Sequence, residues 1–231
     1  MSIENYIDVL KESRLFDSIE GEDIYKIIPC LNYKIKSYSK GSSIFMEGDF
    51  VENIGIVLSG VCEITKENLA GDKVIVSIVK KSDMFAESIV CRKDKKSPVN
   101  VTAIEDTKVV FISYDRIIRS CNNKCEFHIN LINNLLMIIA QKNFILNNKI
   151  DILLLKGMRE KIATFLLRKY KETGKESFNI ELNRNQLAEY LNVCRSSLSR
   201  ELSKMQDEDI ISYSKNKFII KDIDALRHIL L

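Results

Sequence analysis

Arginine, serine and lysine side chains recur along residues 195–204 (RSSLSRELSK) at a spacing able to hydrogen-bond a nucleic acid. A guanidinium can donate two parallel bonds to guanine O6 and N7, and a serine hydroxyl can reach a base edge or a phosphate. Arg195, Ser196, Ser197, Ser199, Arg200 and Lys204 supply those groups, while Leu198 and Leu202 fall on the opposite side of a helix. Upstream, Leu187, Ala188 and Leu191 make the inward face of another short helix, and Asn192 with Val193 makes the turn between them. The spacing over residues 182–211 therefore predicts a helix-turn-helix whose second helix enters a major groove. After Ile211, the run SYSKNKFIIKD predicts a hairpin with a basic tip around Lys215, Asn216 and Lys217. Lysines on such a wing touch the sugar-phosphate backbone, and Lys204, Lys215, Lys217 and Arg184 are the expected phosphate contacts.

A second set of reactive groups lies mid-chain. Cys121, Cys125 and His128 fall at i, i+4 and i+7, so on a helix they share one face. Two thiolates and an imidazole in that pattern can hold a metal or haem, or the thiols can answer oxidants, although a tetrahedral site needs a fourth ligand. The plainer alternative is a pair of ordinary, partly buried thiols and a surface histidine. Cys30, Cys62 and Cys91 read as core residues, and Cys194 as a small buried thiol beside Arg195. With His128 and His228 as the only histidines, and no phosphate-binding loop, nucleophile elbow or HExxH, the chain lacks the usual players of catalysis and is not expected to be an enzyme.

The elements that must position these groups follow from periodicity. Residues 1–30 read as helical, with Ile7, Leu10, Leu15 and Phe16 on one side. From about Leu31 short β-type runs follow, around residues 33–35, 43–45, 54–58, 61–64, 74–79, 99–103 and 108–112, separated by Gly, Asp, Asn and Ser. Many short strands with turn signals predict an antiparallel sandwich or a barrel of jelly-roll type. Around Asn123 a helix of about thirty residues begins. Ile132, Leu136, Ile139, Asn143, Leu146 and Ile150 step by four and three, the spacing of a helical seam, and Leu131, Leu135, Ile138 and Ile145 form a stripe beside it. One stripe is expected to pack on the chain's own barrel and the other on the same helix of a second copy, with Asn143 setting register. A further helix, about Lys156 to Tyr170, leads into the C-terminal part. The fold class is thus α+β, with a barrel domain over residues 1–122, a dimerisation helix over 123–155 and a winged helix-turn-helix over 156–231.

Composition bounds the alternatives. In 231 residues, 45% hydrophobic, there is room for two cores and no low-complexity segment. The net charge is +3, and all of the excess lies in residues 151–231, with 15 Lys and Arg against 12 Asp and Glu. That distribution fits a DNA-binding part joined to an electrically balanced sensor. The N-terminus lacks a signal peptide's apolar core, and no run reaches the roughly 18 apolar residues of a membrane span, so a cytoplasmic protein with reduced thiols and no membrane partner is expected.

A strand-rich barrel, a long helix and a winged helix-turn-helix, in that order, resemble the Crp/Fnr family of bacterial transcription regulators over nearly the whole chain. The specific marks are Lys40 and Gly41, Glu47 to Asp49, Ile56 to Val61, Phe85 to Glu87, Ala103 to Asp106 and Val109 to Ile112. The resemblance implies a cyclic-nucleotide-binding-like barrel coupled through paired helices to DNA-reading heads, with double-stranded DNA, a second copy, RNA polymerase and a small effector as partners. It also implies base contacts from Arg195, Ser196, Ser199 and Arg200. Ser196 stands where members with the best-known operators carry Glu, which puts that operator in doubt.

In nucleotide-binding members a Glu bonds the ribose and an Arg-Ser pair holds the cyclic phosphate. Glu87 matches the first role. Ser97 and Pro98 stand at the positions of the pair, or Lys96 and Ser97 if the match slides by one residue, and Ala86 replaces the preceding Gly. Pro lacks an N–H that a phosphate cradle needs. These departures argue against cyclic AMP and leave the effector unnamed. Two rivals to an effector-controlled regulator remain: a redox, metal or haem sensor using Cys121, Cys125 and His128, and a ligand-binding module that acts through protein contacts.

Overall fold

A computed structural model of the chain describes residues 3–67, 73–119 and 126–230. Two short helices open it, α1 (Ile7–Lys11) and α2 (Gly21–Ile27), followed by β1 (Lys34–Tyr38), β2 (Ser43–Phe45), β3 (Asn53–Ser59), β4 (Cys62–Glu67), β5 (Lys73–Val79) and β6 (Met84–Phe85). Then come α3 (Glu87–Val90), β7 (Asn100–Ala103), β8 (Thr107–Ser113), α4 (Tyr114–Ile118) and the long α5 (Glu126–Leu154). The C-terminal part holds α6 (Met158–Thr173), β9 (Ser177–Asn179), α7 (Arg184–Leu191), α8 (Arg195–Asp207), β10 (Ile211–Ser214), β11 (Lys217–Ile220) and α9 (Ile223–His228). The chain divides into two compact units, residues 1–142 and 143–231.

In the first unit the strands make two antiparallel sheets, ordered β1-β8-β3-β6 and β2-β7-β4-β5, the sandwich of the two expected arrangements and not a closed barrel. Ala86, at φ +69°, ends β6 after two residues and turns the chain into α3, which leaves that sheet edge no length to pair. Both sheets share one core, in which Ile54, Ile56 and Val110 meet Cys62, Val79 and Val101. Glycine is required at Gly60: its φ is +83°, and an added Cβ would lie 2.5 Å from the Asp106 carbonyl oxygen.

Helix α5 divides its apolar residues between a buried and an exposed side, but not along the two expected stripes, since Ile132 and Ile139 of the seam lean on the core and Ile145 of the other stripe is open. Leu131, Leu135 and Ile138 are buried in the first unit's core, and Ile132 and Ile139 pack partly against it. Leu136 and Leu146 are each 60% exposed, and Phe144, Ile145 and Ile150 are also open. By length and composition residues Phe127–Leu154 could cross a membrane, with mean hydropathy 1.3 in the most apolar window, contrary to the expectation from apolar runs. Polar residues such as Asn130, Asn133 and Lys142 interrupt each run, so the apolar character shows only once the helix is taken whole.

The second unit has its own core. Ile162, Phe165 and Leu166 of α6 meet Leu187 and Leu191 of α7, Leu198, Leu202 and Met205 of α8, and Phe218 and Ile220 of the hairpin. β11 pairs with β10 on one side and with β9 on the other; β9 has Phe178 as its one apolar residue and so gives no strand signal in sequence.

Candidate nucleic-acid interface

Helix α7 starts at a capping box. The Asn183 side chain accepts from the amides of Asn185 and Gln186, both at 3.0 Å, and the Gln186 side chain accepts from the Asn183 amide at 2.9 Å. The helix ends at Asn192 in the left-handed region, φ +52°, and the Val193 amide returns to the Ala188 carbonyl at 3.0 Å. Asn tolerates that conformation better than other side chains, and it swings the chain into α8. Lys161 of α6, buried, donates to the Leu191 carbonyl at 3.2 Å and so satisfies an orphan acceptor at the end of α7.

Leu198, Leu202 and Met205 bury one side of α8. The other side is open: Arg195, Ser196, Arg200 and Lys204 are exposed, and Ser197 and Ser199 are half-buried. The Arg200 guanidinium makes one long contact, 3.4 Å, to the Ser197 hydroxyl. Cys194 precedes the helix without a side-chain cap and is exposed, not buried as its size implied.

The wing turns at Lys215 (φ +52°) and Asn216, with Lys215 and Lys217 both exposed. Arg184 faces this wing. Its guanidinium lies 4.9 Å from the Tyr213 ring centre and 5.6 Å from that of Phe218, and it donates to the Lys215 carbonyl at 3.3 Å. Burial lowers its pKa, with nearby Arg195 acting in the same direction. Arg184 thus holds the wing turn against the start of α7.

Arg159 of α6 was not singled out by sequence. It donates from Nε to Glu201 at 2.7 Å and from both terminal nitrogens to Glu208, at 2.9 and 2.7 Å. Those bonds raise its pKa, and the hydrogen bond from Arg159 is the main cause that lowers the Glu208 carboxyl. The only local signal is that Glu201 and Glu208 lie seven residues apart, two turns along one face of α8, where two like charges call for a cation.

The sequence model of the Crp-like helix-turn-helix domain matches residues 160–229, and that of the cyclic nucleotide-binding domain matches residues 35–124. The chain belongs to the Crp/Fnr family of transcription regulators. It is 25% identical over 219 residues to the anaerobic regulatory protein of Bacillus subtilis, covering 90% of this chain and 87% of that one. To the cyclic AMP receptor protein of Thermus thermophilus it is 21% identical, covering 95% and 98%. The crystal structure of the Thermus thermophilus catabolite activator protein superposes with a TM-score of 0.54 at 20% identity, covering 94% of this chain and 98% of that one, and shares the fold.

Of the positions that the sequence resemblance assigns to a nucleotide cassette, Ser97 and Glu87 are buried and hydrogen-bonded, and Lys96 is exposed. Ser97 is buried; its hydroxyl donates to the Val99 carbonyl at 2.7 Å, and its own amide and carbonyl bond Asp49 and Gly48. Lys96 is exposed and bridges to Phe50. Glu87, 5% exposed, accepts from Lys142 Nζ at 2.6 Å through Oε1, and its Oε2 is buried without a partner. Ala86 adopts a left-handed backbone, φ +69°. Arg92, the one arginine of the adjoining loop, is held by Asp94.

Cys121 and Cys125 lie outside the described residues. His128 is described and is buried, not at the surface, with Nδ1 unpartnered. Among the described residues no group of three metal-ligating side chains forms. Cys62 is buried as expected, whereas Cys30 and Cys91 are exposed: Ile28 and Leu31 take the inward positions of the turn that holds Cys30, and Cys91 follows α3, whose Ile89 and Val90 are buried.

Proposed function

We propose that this Crp/Fnr chain is a cytoplasmic, homodimeric regulator that reads an inverted-repeat operator and answers a small effector other than cyclic AMP. The observation that carries the reading is the open face of α8 on a braced support. Arg195, Ser196, Ser199 and Arg200 present unspent donors, while Arg159 and Arg184 hold the helix and the wing. Arg195 and Arg200 read bases; Ser197 and Lys204 on α8, and Lys215, Lys217 and Arg184 around the wing, meet phosphate or position the groups that do. The parts are a sensory domain over 1–122, a dimerisation helix over 123–155 and a DNA-binding domain over 156–231.

Dimerisation runs along α5 through Ile132, Leu136, Ile139, Asn143, Leu146 and Ile150. Fully burying an exposed Leu or Ile stabilises a pair by about 1.5–3 kcal/mol per side chain. A twofold pair fixes the spacing of the two heads, so half-sites about one helical turn apart are preferred. Binding of the purified chain to duplex DNA, measured against salt, tests the reading: steep salt dependence with one preferred sequence supports it, and no binding at low salt overturns it.

His128 favours a second reading, in which sensing runs through a metal, haem or thiol chemistry with Cys121 and Cys125. A buried imidazole nitrogen without a partner is a costly group to leave unused. Metal analysis and an absorption spectrum of protein purified without oxygen decide between the two readings.

A further inference from the structure

A cavity of about 360 Å³ opens on the first unit and is lined by neither Ser97 nor Lys96. Its walls come from the segment after α1 (Ser13, Arg14), from β5 (Ser77, Ile78), the loop after it (Asp83) and β6 (Met84), and from α5 (Ile138, Lys142). That volume lies in the range of small-molecule sites.

Three side chains there keep unspent hydrogen-bond donors. Ser13 is 2% exposed, and its hydroxyl has no hydrogen-bond partner. The Arg14 guanidinium makes no hydrogen bond or ion pair among the described residues. Lys142 gives one N–H to Glu87 and retains two. The lining carboxylates are already committed, Glu12 to Lys81 at 3.7 Å and Asp83 to the Lys80 amide at 2.9 Å. Ile78, Met84 and Ile138 supply apolar surface beside these donors.

We propose that this cavity binds a small organic anion, its carboxylate or phosphate head on Ser13, Arg14 and Lys142 and its apolar body over Ile78, Met84 and Ile138. The anion shares Lys142 with Glu87, so an ion pair that ties α3 to α5 becomes sensitive to ligand. Lys142 directly precedes Asn143 of the dimer seam, and occupancy is therefore felt at the interface. Only that consequence rests on the regulator reading; the binding itself does not.

Titration calorimetry on the full chain with hexanoate, hexyl phosphate and hexan-1-ol tests the site. One or both anions should bind saturably, one per chain, and the alcohol about tenfold more weakly or worse. Lys142→Gln and Ser13→Ala should each weaken the anion about tenfold. Ser13→Ala should meanwhile raise the melting temperature of the ligand-free protein, since it removes a buried hydroxyl with no partner. Failure of both anions to saturate, equal binding of the alcohol, or unchanged affinity in both variants would overturn the proposal. Saturable anion binding by a chain that recognises no operator would instead sink the regulator reading and leave the site standing.

Discussion

Arg200 on α8 is proposed to read a base, and Glu87 on α3 stands where the sequence resemblance implies a ribose ligand, but their surroundings differ. Arg200 is exposed, with a single long contact to Ser197. Glu87 is buried and bound by Lys142, and the nearby Ser97 hydroxyl closes on its own turn. A binding group must be held in place yet keep its donors or acceptors free for the partner. Helix α8 meets both conditions because Arg159, Lys161 and Arg184 brace it and its neighbours from behind. The cassette meets the first and not the second, and the proposal of an effector other than cyclic AMP rests on that difference.

That contrast can be broken at several points. The largest effect is expected from Leu136→Lys with Leu146→Lys on the exposed side of α5: sizing should show a monomer and operator affinity should fall by about a hundredfold or more, since each head alone makes half the contacts. An intact dimer would move the seam elsewhere. Arg200→Ala should weaken operator binding by about 1–3 kcal/mol and relax specificity at one position. Equal loss on random DNA would make it a phosphate contact. Lys217→Ala should weaken all sequences alike and reduce the salt slope by about one, read from affinity against salt concentration.

Arg159 offers a pH test of the support. Its hydrogen bond holds the Glu208 carboxyl below the ordinary 4.5, so the contribution of that carboxylate is present above the unfolded value and is lost as pH falls through the folded one. Glu208→Gln should flatten the fall in melting temperature below about pH 4.5; an unchanged profile would mean the contact does not stabilise the unit. The smallest effect concerns thiols. Burial pushes Cys62 up to about 11, against a hydrogen bond from Thr107 that lowers it. At pH 8, iodoacetamide should therefore modify exposed Cys30, Cys91 and Cys194 well before Cys62, as read by peptide mass spectrometry.

Residues whose partners are near in sequence were legible. Leu187 to Leu202 carry the helical period and the turn of a helix-turn-helix, and the wing follows within a dozen residues. The open side of α8 came with the period, since a helix that buries Leu198 and Leu202 must present Arg195 and Arg200 elsewhere. Contacts that span the chain were not legible. Lys142 and Glu87 are 55 residues apart, and Arg159 and Glu201 are 42 apart. Neither pair has a spacing that marks it. Arg184 illustrates a finer limit: its charge was visible, but its place over Tyr213 and Phe218 depends on how the hairpin folds back. Two-residue β6 is too short for an alternating pattern, and β9 (Ser177–Asn179) offers one apolar residue, Phe178, between polar neighbours.

The central claim is that two copies of α8, held at a set spacing, read DNA. Selection of bound duplexes from a random pool by the purified chain measures this directly. The account predicts an inverted repeat with half-site centres about 10 base pairs apart, with preference at one symmetric position lost in Arg200→Ala. Enrichment of a single half-site, or of no sequence at all, would contradict it.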